Sequence, residues 1–447
     1  MDESIRHLYQ EGDVNFSEGR GEWYSQLNPQ TLEWLSRDAA VFLHQSLSTP
    51  CLNVIESCEG IYLTDINGKR YMDFHGNSVH QVGYRNSYVT DRLKAQLDIL
   101  PFSPRRYTNK VAIELAEKLV SLLPASLNRV LFAPGGTSAV GMALKLARRI
   151  TGKQKVVSVQ GSFHGASLDA IAVGGEEQFR KYMGQLYPET IFIPQADRYR
   201  NGPDQELQFA ELLDEVLTRN EDAGAFIAET IRNTDVQIPS KPYWEKIREV
   251  CDRHQVLLIL DEIPIAFGRM GTLFAFEQYG IVPDILCLGK GLGAGAFPIA
   301  AIITKEEYNI AGDISLGHYT HEKSPMGAAA ALAMIDYTID QHLIEKVQAD
   351  ESFIRKELTI FKDEFPMIGD IRGKGLLWAV ELVKDPLTKE RAVEEAEAVL
   401  YYCLKHGLSF KVSQGNVLQL CPPLIITREQ ITDALLIIRG ALQSVQS

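Results

Sequence analysis

Leu257-Leu258-Ile259-Leu260-Asp261-Glu262 is a run of four apolar residues that stops at two carboxylates. Downstream, Asp284-Ile285-Leu286-Cys287-Leu288-Gly289-Lys290-Gly291-Leu292-Gly293-Ala294-Gly295 is a second apolar run, which stops at a lysine and continues into glycines. Short apolar runs of this kind read as strands buried on both faces. In such sheets ligands collect outside the carboxyl ends of the strands. A lysine amine placed there can form a Schiff base, and a carboxylate can hold a cationic ring nitrogen. Those are the two anchors pyridoxal phosphate needs. A lone lysine at a strand end is ordinarily a solvated terminus, but here two strand ends each finish in the charge that one cofactor requires. The glycines do not form a dinucleotide loop, because Ala294 occupies the last position of G-x-G-x-x-G.

Outward from these two segments, strand and helix patterns alternate. Strands are expected at 129–132, 155–159, 189–193, 225–229 and 257–260, and helices at 137–150, 205–219 and 243–254. That rhythm predicts an α/β fold whose large domain has a mostly parallel sheet covered by helices on both faces. Helical spacing also recurs over 88–100 and 110–123, and the first 50 residues read as helical segments with polar breaks. Residues 60–74 read as a hairpin, with alternating apolar residues around Asn67-Gly68. After Pro325 the pattern changes to helices with a few strands, ending in a helix at 428–442. The expected division is an N-terminal segment 1–75 belonging to a smaller α+β domain, a large domain 76–324, and the rest of the small domain at 325–447.

Two further segments bear on chemistry. Ala133-Pro134-Gly135-Gly136-Thr137-Ser138-Ala139 opens a helix directly after a strand. Free N–H groups and the helix dipole make an anion site there, and Thr137 adds a hydroxyl, although Gly-Gly is also an ordinary strand-to-helix turn. In Gly161-Ser162-Phe163-His164-Gly165, Phe163 can lie against a flat ring and His164 can hydrogen-bond near it; a core aromatic and a loop histidine fit the same residues. Glu229, at the end of its strand, joins the cofactor-binding set.

Composition narrows the field. The 447 residues carry a net charge of −13, so nothing suggests a nucleic-acid partner. An anionic substrate needs a local cluster of cations to overcome that field. No apolar run approaches the roughly 20 residues that span a bilayer. The polar, acidic residues 1–20 are unlike a targeting peptide. Six scattered cysteines without C-x-x-C argue against a metal site or a disulfide scaffold and for a reducing cytoplasm.

From about residue 50 to the C-terminus the chain resembles the fold-type I, class III aminotransferases. The resemblance is carried by Gly135-Gly136-Thr137-Ser138-Ala139-Val140-Gly141, Phe163-His164-Gly165, Leu260-Asp261-Glu262-Ile263-Pro264, Gly289-Lys290-Gly291-Leu292-Gly293 and Asn416 to Thr427 with its Pro422-Pro423. It implies pyridoxal 5′-phosphate held covalently by Lys290, Asp261 on the ring nitrogen, Gly136 and Thr137 on the phosphate, and Phe163 stacked on the ring. It also implies a homodimer at least, with an active site shared between subunits and Thr320 reaching the partner's phosphate.

Three departures matter. Pro264 stands where the family usually has glutamine, and Ser138 where it has glutamate. Gln419 replaces the arginine that in many members grips the carboxylate of an oxo-acid acceptor. A neutral amide gives up charged contacts of about 1.5–3 kcal/mol each. The chain is most similar to the family's lyase branches, and among them to the ammonia-lyase branch that acts on (R)-1-hydroxy-2-aminoethylphosphonate. The implied reaction is elimination from that small hydroxylated aminophosphonate, giving phosphonoacetaldehyde and ammonia. The alternative is an aminotransferase for an ω-amine or 2-aminoethylphosphonate with an oxo-acid acceptor.

For the phosphonate, Arg105 and Arg106 before Tyr107 form a candidate clamp, though an adjacent pair of this kind is also an ordinary solvated surface pair. Lys411, upstream of Pro422-Pro423, is a second candidate. Ser78 and His80 belong to a loop, flanked also by His75, that borders substrate in the family; both histidines can equally be structural. His80, Tyr107 or a water can assist the leaving group.

Overall fold

The computed structural model describes residues 18–43 and 53–446. Of the helices expected in the first 50 residues, Glu18–Ser25 and Pro29–Val41 are formed, the second capped by the Asn28 side chain on Thr31 N–H at 2.8 Å. The remainder of that stretch, and Cys51, lie outside the described residues. The hairpin follows as Ile55–Glu59 (β1), Tyr62–Asp65 (β2) and Arg70–Asp73 (β3). Asp65 closes its turn by accepting from the N–H groups of Asn67 and Lys69.

The next seven strands build the central sheet. They are Arg129–Ala133 (β4), Lys155–Val159 (β5), Thr190–Ile193 (β6), Ala223–Glu229 (β7), Leu257–Asp261 (β8), Ile285–Leu288 (β9) and Ala300–Thr304 (β10). Their spatial order is β4-β10-β9-β8-β7-β5-β6. Only β10 runs antiparallel to its neighbours, because a short turn rather than a helix returns it from β9. The helices Gly136–Thr151, Pro203–Arg219 and Lys241–His254 supply crossovers between parallel strands.

The pleat explains why these strands read as continuous apolar runs. Ala225, Ile227, Leu257, Ile259, Ile285, Cys287, Ala300 and Ile302 enter one core with the helix Gly136–Thr151. Phe226, Ala228, Leu258, Leu260, Leu286, Leu288, Ala301 and Ile303 enter the other. Successive residues face opposite layers, so both parities must be apolar. β8 runs one residue further than expected, so that Asp261 is its last residue. Lys290 lies two residues past β9, in the single 3-10 turn Lys290–Gly293, where the glycines end the strand.

After the helices Pro325–Asp340 and Leu343–Glu364 come Ile368–Lys374 (β11), Leu377–Asp385 (β12), Glu390–Arg391 (β13), Leu408–Ser409 (β14), Lys411–Ser413 (β15) and Val417–Leu420 (β16). β11-β12-β16-β15 form an antiparallel sheet, with β13 beside β12. β14 leaves that group and pairs parallel with β3, joining the N-terminal hairpin to the C-terminal region. The helix Arg428–Gln446 closes the described chain. Among the described residues no helix is long and apolar enough to cross a membrane, and no group of three or more His, Cys, Asp or Glu could hold a metal ion.

Candidate active site

Glu229, Asp261 and Lys290 come from three neighbouring strands at one end of the central sheet. β7 and β8 are parallel and pair Glu229 with Asp261; β8 and β9 pair Asp261 with Cys287. All three open on a cavity of about 340 Å³, whose wall also includes Gly136, Thr137, Phe163, His164 and Gly165. The residues expected to hold the cofactor are therefore together in one chain, with the exception of Thr320.

The floor is a hydrogen-bonded carboxylate. Asp261 Oδ2 accepts from His164 Nδ1 at 2.8 Å, and Oδ1 from Ile263 N–H at 3.0 Å. Glu229 accepts from Phe163 N–H at 3.2 Å and from Asn233 N–H at 3.0 Å. Burial pushes the Glu229 carboxyl above its ordinary value, against the pull of Arg232 and His164. Burial also lowers the Lys290 ammonium, opposed by Asp261 and Glu229 and aided by Lys411. An amine shifted this way is neutral more often at pH 7, as a nucleophile or base must be.

The residues fit pyridoxal phosphate. The helix Gly136–Thr151 begins at Gly135, which offers no side-chain cap, so its first N–H groups are free for a phosphate. Gly165 holds φ at 128°, and a Cβ there would stand 2.3 Å from Thr137 Oγ1; glycine lets the loop close over that hydroxyl. The Nε2 of His164, a residue of the cavity wall, is buried without a partner in the chain. Phe163 packs on Phe179 with ring centroids 4.9 Å apart, which fixes its plane.

The other end of the cavity is lined by His75, Asn77, Asn233, Thr234, Lys411 and Gln419. Lys411 and Gln419 are paired across β15 and β16. Gln419 is 1% exposed; its amide N–H donates to Asn233 C=O, and its Oε1 is buried without a partner. Pro264 also lies on the wall.

Several expected substrate residues are elsewhere. His80 is fully buried outside the cavity, with Nε2 3.2 Å from Asp73 C=O. Ser78 is buried as well, with Oγ 3.5 Å from Asn233 Oδ1. Arg105, Arg106 and Tyr107 are exposed and outside the cavity, and so is Thr320. The segments that carry these last four touch each other: Phe102 and His321 stack edge-on at 5.3 Å, and Asn109 donates to Lys323 C=O at 3.0 Å. Arg105 lines a separate cavity with His318 and Glu322. His75, expected only as a flank of the substrate-bordering loop, thus stands on the wall itself, and Asn77, Asn233 and Thr234 join it there unexpected from the sequence. The only signal for His75 was its place beside the Gly76-Asn77 turn.

A family model described as aminotransferase class-III matches residues 44–442. The chain is 54% identical to the (R)-1-hydroxy-2-aminoethylphosphonate ammonia-lyase of Vibrio splendidus strain 12B01, over 98% of this chain and 96% of that one. An amine transaminase from an uncultivated Pseudomonas species, solved in its PLP-bound form, matches with a TM-score of 0.84 at 29% identity, covering 90% of this chain and 98% of that one. A transaminase from the marine bacterium Virgibacillus matches with a TM-score of 0.85 at 28% identity, covering 92% and 98%.

Proposed function

The chain belongs to the class-III aminotransferase family, with the fold-type I architecture, and from that premise we propose that it is a pyridoxal-phosphate-dependent ammonia-lyase. It converts (R)-1-hydroxy-2-aminoethylphosphonate into phosphonoacetaldehyde and ammonia, a step of phosphonate catabolism. The observation that carries this reading is the 54% identity to the Vibrio splendidus ammonia-lyase along nearly the whole of both chains. The cavity supports it, because its acceptor end carries the neutral, internally bonded Gln419.

Bound pyridoxal phosphate supplies an electron sink for the carbon beside the substrate's nitrogen. Lys290 would hold it covalently, and its Nζ would take the proton from that carbon; its lowered pKa suits this. Asp261, oriented by His164, keeps a proton on the ring nitrogen. Gly136, Thr137 and the free helix N-terminus hold the phosphate, and Phe163 covers the ring. Lys411 at the far end binds the phosphonate as a point charge.

The enzyme works as a homodimer in the cytoplasm, in which Thr320, Arg105, Arg106 and Tyr107 of one subunit complete the cavity of the other. Their shared surface outside their own cavity supports that arrangement. All five described cysteines are free, which suits a reducing compartment.

The test is incubation of the purified enzyme with the hydroxylated aminophosphonate, with and without pyruvate or 2-oxoglutarate. Ammonia and phosphonoacetaldehyde should form in equal amounts without either acceptor. Strict dependence on an acceptor, with alanine or glutamate as product, would establish the aminotransferase instead.

A further inference from the structure

Gly76, Asn77 and Ser78 hold φ at 46°, 46° and 58°. Two of them carry side chains, and a non-glycine residue in that region costs on the order of 1–3 kcal/mol. The surroundings over-determine the turn. Asp73 Oδ1 accepts from His75 N–H at 2.9 Å and Gly76 N–H at 3.1 Å, and Oδ2 from the Tyr84 hydroxyl at 2.6 Å. The buried His80 ring lies under Gly76, where a Cβ would stand 2.4 Å from it. The turn displays His75 on the cavity wall, with Nε2 2.7 Å from Asn77 Oδ1.

Most proton-carrying groups on that wall are already engaged. His164 and Asp261 bond each other, and Glu229 is held by two backbone N–H groups. Lys290 serves the carbon beside nitrogen. At the substrate end the titratable groups on the wall are His75 and Lys411, and an ammonium paired with a phosphonate is a poor proton donor. The elimination still needs an acid for the oxygen that leaves.

We propose that His75 is that acid: it binds the substrate's hydroxyl group and protonates it as it departs. This rests on the lyase reading above. As the C–O bond breaks, its electron pair goes to oxygen, the imidazolium proton moves to the same atom, and water leaves. The neutral imidazole regains a proton from solvent before the next turnover. Asp73, Lys411, Lys290 and the neutral His80 are the titratable groups that face it. Without substrate His75 is neutral: burial pushes it down to about 4, with Lys411 and Lys290 adding to the shift and Asp73 and Asn77 opposing it. A phosphonate dianion beside Lys411 cancels that cation and brings negative charge close, which favours the imidazolium. Its proton therefore arrives with the substrate.

The test uses the holoenzyme and His75→Gln. The variant should release ammonia from the hydroxylated aminophosphonate at least about a hundredfold more slowly. It should still exchange the hydrogen beside nitrogen of 2-aminoethylphosphonate, which has no hydroxyl, in deuterated water within about threefold of the wild-type rate, since that step belongs to Lys290. Calorimetry with the inert dianion methylphosphonate, in two buffers of different ionisation enthalpy, adds a readout free of turnover. Protons released by the ligand itself are the same for both proteins, so the wild type should take up more protons on binding than His75→Gln does. Equal proton uptake, or ammonia release kept within about threefold, overturns the proposal. Parallel loss of release and exchange also overturns it, because His75 then acts before the C–O bond breaks. Absence of ammonia release by the wild type overturns the lyase reading instead.

Discussion

His164 Nδ1 lies 2.8 Å from Asp261 Oδ2, with both side chains buried, so the carboxylate at the end of β8 is oriented by an imidazole from the loop after β5. Asp261 also accepts from Ile263 N–H, and its direction is fixed from two sides. A carboxylate held this way presents a constant charge to whatever lies above it.

Asp261→Ala should therefore lower kcat by about two or more orders of magnitude while the protein still binds cofactor through Lys290. Cofactor absorbance and steady-state rates, measured on one preparation, separate the two effects. Near-normal kcat would remove Asp261 from the mechanism. His164→Phe should have a milder effect on rate, but should destabilise the cofactor-free protein by about 1–3 kcal/mol, since a buried acceptor loses its donor.

Lys290→Ala should abolish turnover, and borohydride should no longer fix the cofactor to the chain. Peptide mapping of the reduced wild type checks the same point. Label on any other lysine contradicts the placement of the site.

The shared-site arrangement predicts complementation. Lys290→Ala and Arg106→Ala chains should each be inactive or strongly impaired alone. Co-expressed, they should recover about a quarter of wild-type activity, because half of the dimers are mixed and each of those has one complete cavity. If the arginine served its own chain, mixing would restore nothing. A silent Arg106→Ala moves the experiment to Arg105→Ala, and two silent variants leave Lys411 as the anion anchor.

His80 gives a pH prediction. Burial pushes its pKa down to about 4, from an ordinary value of 6.5. The unfolded chain therefore binds a proton between those values that the folded chain refuses. The stability His80 contributes is full above pH 6.5 and is lost as the pH falls toward 4. Resistance of the cofactor-free protein to urea should fall with pH over that window, and His80→Gln should flatten the slope without abolishing it, since His75 titrates low as well. An unchanged slope would place the His80 ring in water.

Much of this was legible in the sequence because it is local. Asn67-Gly68 marks its hairpin, and the apolar runs at 257–260 and 285–288 mark central strands whose ends carry Asp261 and Lys290. Lys290 and Asp261 stand in one cavity because adjacent strands in a sheet put their ends side by side. What was not legible depends on long-range contact. His75 and His80 look alike along the chain; only the left-handed turn at 76–78, with a ring under Gly76, sends one to the cavity and the other into the core. The bond from Gln419 to Asn233 joins segments that no local pattern connects. Arg105, Arg106 and Thr320 lie outside their own chain's cavity, so the pattern of one chain cannot show where they act.

The parallel pairing of β3 with β14 has a further consequence, for the order of assembly. Met72 N–H bonds Gly407 C=O, Phe74 N–H bonds Ser409 C=O, and Cys421 N–H bonds Phe74 C=O. The segment that presents His75 is made long before those partners leave the ribosome. A chain made as far as Thr304, about two thirds of its length, holds every strand of the central sheet, and with it Asp261 and Lys290, while the strand leading to His75 still has an open edge. Loop closure over that separation is slow. A chain stopped before Leu408 would carry Asp261 and Lys290 but lack the strand that pairs with the segment presenting His75.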